Sequence, residues 1–306
     1  MGINKYMMAA LKAISYAEPD IKSSYQTSRK IRDWINPPRG TQGLYSVWDD
    51  DVVLEGHSIP IRIFEPKVQL GDERILFFHG GGWVLGNLNN YTRTCAMVAN
   101  DVGRQVLSVD YRLAPEFPFP AGLLDCYEVA KILHNLKVEE GENKRGIVLM
   151  GDSAGANIAA AVSLLARDRK EFSVDKQILI YPSTYNYHDE RSPFPSIREK
   201  GEGYLLTSKR ICDYIDLYIR EGKDFFSPYF APLLAEDLSN QPETLLITAE
   251  HDPLRDEGEA YGDKLREFGN KVMSIRMKNA LHGYLNLPYK FVHVKHTLHA
   301  IKDFLE

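Results

Sequence analysis

Residues 146–169 read GIVLMGDSAGANIAAAVSLLARDR. Ile147-Val148-Leu149-Met150 is a short, continuous apolar run, the pattern of a strand covered on both faces. Ala154–Arg167 is an Ala-rich stretch of helical character. Between them stands Gly151-Asp152-Ser153-Ala154-Gly155, a G-x-S-x-G sequence. The motif alone arises by chance in about one chain in ten of this length. Its context is informative: a strand running into a sharp turn that opens a helix exposes the serine hydroxyl at the end of a sheet. The flanking glycines permit the strained turn. The helix N-terminus then directs N–H groups and positive dipole at developing negative charge. Ser153 is therefore the candidate nucleophile; a plain helix-capping serine is the structural alternative.

Working outward, strands and helices alternate. Leu44–Leu54 and His57–Phe64 are expected to form a hairpin turning at Glu55-Gly56. Further strands are expected at Arg74–Phe78, Gln105–Asp110, Gly146–Met150, Lys176–Tyr181, Glu243–Thr248 and Lys271–Met277. Helices are expected at Thr92–Asp101, Leu123–Leu136, Ala154–Arg167, Arg255–Phe268 and Tyr289–Leu305. Two antiparallel strands followed by β-α alternation imply a doubly wound, mostly parallel sheet. Residues 1–36 read as two helices broken near Glu18-Pro19-Asp20. Asp20 is the expected N-cap of the second, Ile31, Trp34 and Ile35 its apolar face, and Pro37-Pro38 its end. About sixty residues separate Tyr181 from Glu243, with a helix expected at Thr207–Arg220. A connection of that length in a compact domain is usually functional, and it is the candidate cover for the site.

A second glycine motif, His79-Gly80-Gly81-Gly82-Trp83, follows the apolar run Ile75-Leu76-Phe77-Phe78. Three glycines let a backbone bare its N–H groups and approach a ligand closely. Such a loop accompanies G-x-S-x-G where a tetrahedral oxyanion must be stabilised. The N–H groups of Gly81, Gly82 and Ala154 are the expected donors, with His79 and Gly80 supporting the loop. A base and an orienting acid should then follow Ser153 in the order acid, histidine. Among the downstream histidines only His282 sits in a short loop after a strand. His293, His296 and His299 fall opposite the stripe Phe291, Val294, Leu298, Ile301 and Leu305 at 100° per residue, and are expected to be solvated. Asp252, in Glu250-His251-Asp252-Pro253-Leu254 after the run TLLIT, is the expected acid; Glu250 and Asp256 are its competitors.

These residues resemble the hormone-sensitive-lipase-like esterases, near the acetyl-esterase type. The resemblance rests on His79–Asn87 (HGGGWVLGN), Asp110–Ala121 (DYRLAPEFPFPA), Gly151–Asn157 (GDSAGAN), Asp252–Gly258 (DPLRDEG) and His282-Gly283. It implies an α/β-hydrolase fold, an eight-stranded, mostly parallel sheet flanked by helices, with residues 1–306 as a single domain. A helical cap from about 1–40 and 183–225 is implied, together with a Ser153–Asp252–His282 triad. The implied activity is a serine carboxylesterase acting through an acyl-enzyme. An amidase or deacetylase with the same triad is the alternative. A receptor of this fold that has lost its catalytic histidine is disfavoured by His282. The family often carries Phe where this chain has Trp83. Trp83, Tyr185 and Tyr204 are the acyl-pocket candidates, and they suggest acetyl to butyryl chains.

Bulk properties agree. The chain has 306 residues, 44% hydrophobic and 26% charged, with a net charge of −5. That is ordinary globular composition and offers no bulk attraction to nucleic acid or anionic membrane. Cys95, Cys126 and Cys212 show no CxxC spacing, so neither a disulfide framework nor a metal site is expected. Free thiols fit a cytoplasmic location. The apolar stretch Met7–Leu11 is too short for a signal peptide, and no run reaches the ~20 residues of a membrane helix. The mechanism calls for no cofactor. The expected partner is a small-molecule ester, with a homodimer left open. Gly80–Gly86 does not give G-x-G-x-x-G, so a dinucleotide fold is disfavoured.

Overall fold

Apolar runs four to five residues long cannot bury both faces unless helices cover them, and that requirement shapes the molecule. The structure, a computed structural model, describes residues 20–36, 46–139 and 146–306. The first of the two expected N-terminal helices, the Pro37-Pro38 stop and the start of the hairpin at Leu44 lie outside the described residues.

Strands β1 (Ser46–Leu54) and β2 (His57–Glu65) form an antiparallel hairpin that closes with Leu54 opposite His57. Gly56 takes a φ of 90° at its turn, a conformation open to glycine at little cost. The remaining strands are β3 (Arg74–Phe78), β4 (Val106–Val109), β5 (Ile147–Asp152), β6 (Lys176–Ile180), β7 (Glu243–His251) and β8 (Val272–Leu281). They join one eight-stranded sheet in the order β1-β2-β4-β3-β5-β6-β7-β8. From β4 onward every pairing is parallel, while β2 runs antiparallel to both neighbours. This is the α/β-hydrolase arrangement the sequence led us to expect.

Alternate residues of each strand feed two cores. Leu76, Phe78, Leu149 and Leu246 face α3 (Ala121–Glu139), α4 (Ala154–Arg169) and α7 (Arg255–Glu267) through Leu123, Tyr127, Ile158 and Tyr261. Ile75, Phe77, Val148, Met150 and Ile247 face α2 (Leu88–Val102) and α8 (Val292–Leu305) through Val98, Val294, Leu298 and Ile301. Each large apolar side chain so buried contributes about 1.5–3 kcal/mol before entropy is counted. Residues 154–166 of α4 are all buried, which its run of alanines and glycine allows by bringing helix and sheet close.

Several boundaries differ from expectation. Helix α2 begins at Leu88 rather than Thr92, because Asn87 caps it and accepts the Asn90 N–H at 2.9 Å. Strands β7 and β8 continue to His251 and Leu281, past a register shift between Ala249 and His251. Helix α8 starts at Val292, with Phe291 as its N-cap and 41% exposed, so Phe291 does not extend the apolar stripe. His296 and His299 are exposed. The long connection after β6 holds α5 (Pro195–Lys200), opened by a proline at its first turn, and α6 (Ser208–Tyr218).

The N-terminal helix α1 (Ile21–Ile35) is capped by Asp20, which accepts the Ser23 N–H, as its sequence suggested. Its orientation is the reverse of what its apolar residues imply. Ile31, Trp34 and Ile35 are 52%, 82% and 58% exposed. The inward stripe is Ile21, Tyr25, Ser28, Arg29 and Arg32. Polar anchors set that orientation: Lys22 pairs with Asp213 of α6 at 3.5 Å, and Arg29 bonds backbone carbonyls of the body.

Candidate active site

At the carboxyl end of β5 the chain turns sharply into α4. Ser153 occupies the turn with φ 55° and ψ −121°, outside the usual regions for a residue with a Cβ. The glycines around it leave no choice of side chain. A Cβ on Gly155 would lie 2.0 Å from the Phe78 carbonyl oxygen, and one on Gly151 would lie 2.3 Å from the Gly155 carbonyl. The motif is thus a packing requirement: helix α4 presses its first turn onto β3 and β5, and the strain at Ser153 is held by that contact.

The carboxyl ends of β7 and β8 bring two further groups to Ser153. His282, directly after β8, has Nε2 2.9 Å from Ser153 Oγ. Its Nδ1 is 2.7 Å from Asp252 Oδ2. Asp252 is fully buried, and its other oxygen accepts the Leu254 N–H at 2.9 Å, which fixes the carboxylate plane. With Nδ1–H donating to Asp252, Nε2 is the ring's free acceptor. A hydroxyl, an imidazole and a buried carboxylate in this order can pass a proton from Oγ to Nε2 as Oγ attacks an electrophile. The competitors are occupied elsewhere. Glu250 accepts the Asn279 N–H, and Asp256 accepts the Ser196 N–H at 2.7 Å.

The His79–Trp83 loop borders the same cavity of about 260 Å³, which Gly81, Gly82, Trp83, Ser153, Ala154 and His282 line. Gly80 N–H is engaged by Asp152 Oδ1 at 2.8 Å, and Ser153 N–H by the Ile180 carbonyl at 2.9 Å. Gly81, Gly82 and Ala154 line the cavity beside Ser153. Gly81 has φ 129°, and a Cβ there would lie 2.1 Å from the Leu85 oxygen. His79 lies behind the loop. It stacks on Tyr111 at 4.4 Å, and its Nδ1 donates to the Gly80 carbonyl at 2.9 Å. Burial holds it down to about 4, so it is a neutral brace.

Trp83 is 2% exposed and stacks on Tyr218 of α6 at 4.7 Å, while lining the cavity. Tyr185 and Tyr204 are not among the lining residues, which corrects the sequence expectation. The Tyr185 ring packs edge-on against Phe194 at 5.3 Å, and Tyr204 stacks on His251 at 5.7 Å. Leu205, Leu206, Ile211 and Tyr214 from the long connection, with Arg32 of α1, supply the wall instead.

Two buried carboxylates escaped sequence reasoning. Asp152 accepts Gly80 N–H, Tyr91 OH at 3.1 Å and Tyr181 OH at 3.3 Å, tying the glycine loop to β5 and β6. Burial pushes its carboxyl up to about 6. Glu257 of α7 accepts Thr184 N–H at 2.7 Å and Tyr185 N–H at 3.2 Å, with His188 Nε2 2.8 Å away. It pins the start of the long connection to the helix that follows Asp252. The signal for both was an acidic residue inside an otherwise apolar or motif-bound stretch, which must find donors when buried.

A family model described as alpha/beta hydrolase fold matches residues 75–286. An arylesterase of Saccharolobus solfataricus is 39% identical over 241 residues, 78% of this chain and 77% of the relative. An ethyl acetate hydrolase of Pseudomonas putida is 30% identical over 237 residues, 76% of this chain and 73% of the relative. The solved structure of a hyperthermophilic esterase from Pyrobaculum calidifontis aligns with TM-score 0.84 at 32% identity, covering 100% of this chain and 99% of that one.

Proposed function

Since the chain belongs to the hormone-sensitive-lipase-like esterases of the α/β-hydrolase fold and is a carboxylic ester hydrolase, we propose that it cleaves short-chain acyl esters, acetyl to butyryl, through an acyl-enzyme on Ser153. The relay Ser153 Oγ–His282 Nε2–Asp252, at 2.9 and 2.7 Å, is the observation that carries the reading. His282 takes the Ser153 proton as Oγ attacks the ester carbonyl. The N–H groups of Gly81, Gly82 and Ala154 stabilise the oxyanion of the tetrahedral intermediate. His282 returns the proton to the departing alcohol, leaving the acyl group on Oγ. Water, deprotonated by His282, then releases the acid and restores Ser153. Asp252 keeps Nδ1 protonated and stabilises the imidazolium.

The preference for short chains rests on the wall of the cavity. Trp83, held flat against Tyr218, together with Leu206, Ile211 and Tyr214, gives a small space closed by large rings. The relative named for ethyl acetate points the same way. The segments around α1 and α6 act as the cap in this reading. The expected partner is a small ester, with a homodimer compatible. Among the described residues no helix is long and apolar enough to cross a membrane. Three free cysteines support a reducing, cytoplasmic setting.

The test is kcat/KM for p-nitrophenyl esters from acetyl to decanoyl, with Trp83→Ala beside the wild type. Each methylene that finds apolar contact gains about 0.8 kcal/mol, so a roomy pocket would show efficiency rising along the series. A maximum at or below butyryl is expected, moving to longer chains in Trp83→Ala. An octanoyl optimum in the wild type would overturn the short-chain assignment.

A further inference from the structure

Helix α1 turns two cations toward the body, and their surroundings differ. Arg29 is fully engaged: Nε donates to the Val84 carbonyl and Nη2 to the Ala114 carbonyl, each at 2.8 Å, and Nη1 pairs with Glu116 at 2.9 Å. These bonds lock the helix above the His79–Trp83 loop. Arg32, three residues on and on the same inward stripe, lines the cavity that holds Ser153 and His282. Among the described residues its guanidinium has no hydrogen-bond acceptor and no carboxylate partner. Its charge reaches into the site, where it works against protonation of His79 and favours ionisation of Tyr91.

Among the described residues that line the cavity, none pairs with it. Arg210 is a second cation there, with Nε 3.2 Å from Tyr214 OH. Among the described lining residues the one carboxylate is Asp152, whose oxygens already accept from Gly80, Tyr91 and Tyr181. A half-buried guanidinium is partly stripped of water, and its planar fork matches a carboxylate in two parallel bonds. An arriving anion restores what burial removed, whereas a neutral group leaves the charge unmet.

Resting on the esterase reading above, we propose that Arg32 selects esters that carry an anionic group, a carboxylate on either the acyl or the alcohol side, by pairing with that group inside the catalytic cavity. Arg32 is then a specificity-determining residue, and the preferred substrates are half-esters of dicarboxylic acids or acylated hydroxy acids.

Two matched pairs separate the sides. Ethyl hydrogen succinate against ethyl 4-methylpentanoate reports the acyl side. 4-Acetoxybenzoate against 4-methylphenyl acetate reports the alcohol side. The readout is the ratio of kcat/KM, anionic over neutral, within each pair, so any general effect of a substitution divides out. In Arg32→Gln one pair's ratio should fall about tenfold, and Arg32→Lys should recover most of it. In the wild type the same ratio should decline with added salt, since screening weakens the pairing. The pair that responds names the side. Ratios within twofold of wild type in Arg32→Gln overturn the proposal, as does a salt-independent wild-type ratio, which decides the matter if that variant does not fold. Failure of the wild type to hydrolyse any of the four esters would instead overturn the esterase reading.

Discussion

The floor of the cavity and its roof are built on different terms. In the floor, backbone meets backbone: Gly155 against Phe78, Gly81 against Leu85, with Asp152 and Asp252 sealed from solvent and hydrogen-bonded. In the roof, α1 and the segment around α6 meet the body through side chains, and Trp34, Ile35 and Leu205 stay open to water. The difference teaches that the floor tolerates almost no change without losing the arrangement, while the roof can be rewritten residue by residue. In the function proposed above, chemistry belongs to the first and selection to the second.

The largest effect expected breaks the floor's chemistry without touching its packing. Ser153→Ala should lower kcat/KM about 10⁴-fold or more, since triad members act as a unit. Its melting temperature should stay at or above that of the wild type, because φ 55° is no worse for alanine than for serine. Activity within tenfold of wild type in a clean preparation removes Ser153 from the nucleophile's role. Gly155→Ala attacks the packing instead. Its new Cβ would meet the Phe78 oxygen at 2.0 Å, so α4 must move off the sheet and carry Ser153 away from His282. A loss of several kcal/mol together with activity is expected from overpacking against backbone. Wild-type stability would show that the elbow is looser than the contact implies.

Asp152 offers a smaller and pH-dependent test. Its folded carboxyl titrates near 6, above the usual value of 3.8, because burial penalises the charge. A raised carboxyl contributes stability that is present below about pH 4 and lost as pH rises through 6. Asp152→Asn lacks that dependence. Relative to wild type, its unfolding free energy should therefore improve between pH 4 and pH 7, by up to about 3 kcal/mol. The improvement sits on top of any constant penalty from altered hydrogen bonds with Tyr91 and Tyr181. Urea unfolding at several pH values measures it; a difference that does not vary with pH would mean Asp152 is already charged at no cost.

What the sequence disclosed follows the same division. The elbow and the glycine loop are local: strand, turn and helix are adjacent in the chain, so Gly151–Gly155 and His79–Trp83 announce themselves. Asp252 and His282 were found by chain order, each at the end of a strand. The Asp152 network was hidden because its partners Tyr91 and Tyr181 lie 61 and 29 residues away, with no spacing to connect them. The roof misled for another reason. Aromatic content marks Tyr185 and Tyr204 as large, but gives no direction to their rings. In α1 the apolar residues suggest one face, yet hydrogen bonds from Arg29 to two carbonyls turn the other face inward.

That reversal supplies the smallest expected effect. If α1 docks by Ile21, Tyr25 and Arg29, then Trp34, 82% exposed, contributes almost nothing to stability. Trp34→Gln removes an indole already in water and substitutes a residue of equal or better helix propensity. Its cost should stay within about 0.5 kcal/mol, as for ordinary surface positions. Ile21→Ala is the control on the same helix. Ile21 is 1% exposed, and truncation of a buried isoleucine costs about 2 kcal/mol or more through lost burial and the cavity left behind. Thermal melts of both variants against wild type, at two protein concentrations, decide between the faces. A Trp34→Gln loss as large as that of Ile21→Ala would mean the outward face of α1 is covered in solution. If that loss also shrank on dilution, as mass action requires of a stabilising contact between copies, the cover would be a second copy of the chain, and the roof would be an interface as well as the proposed selector.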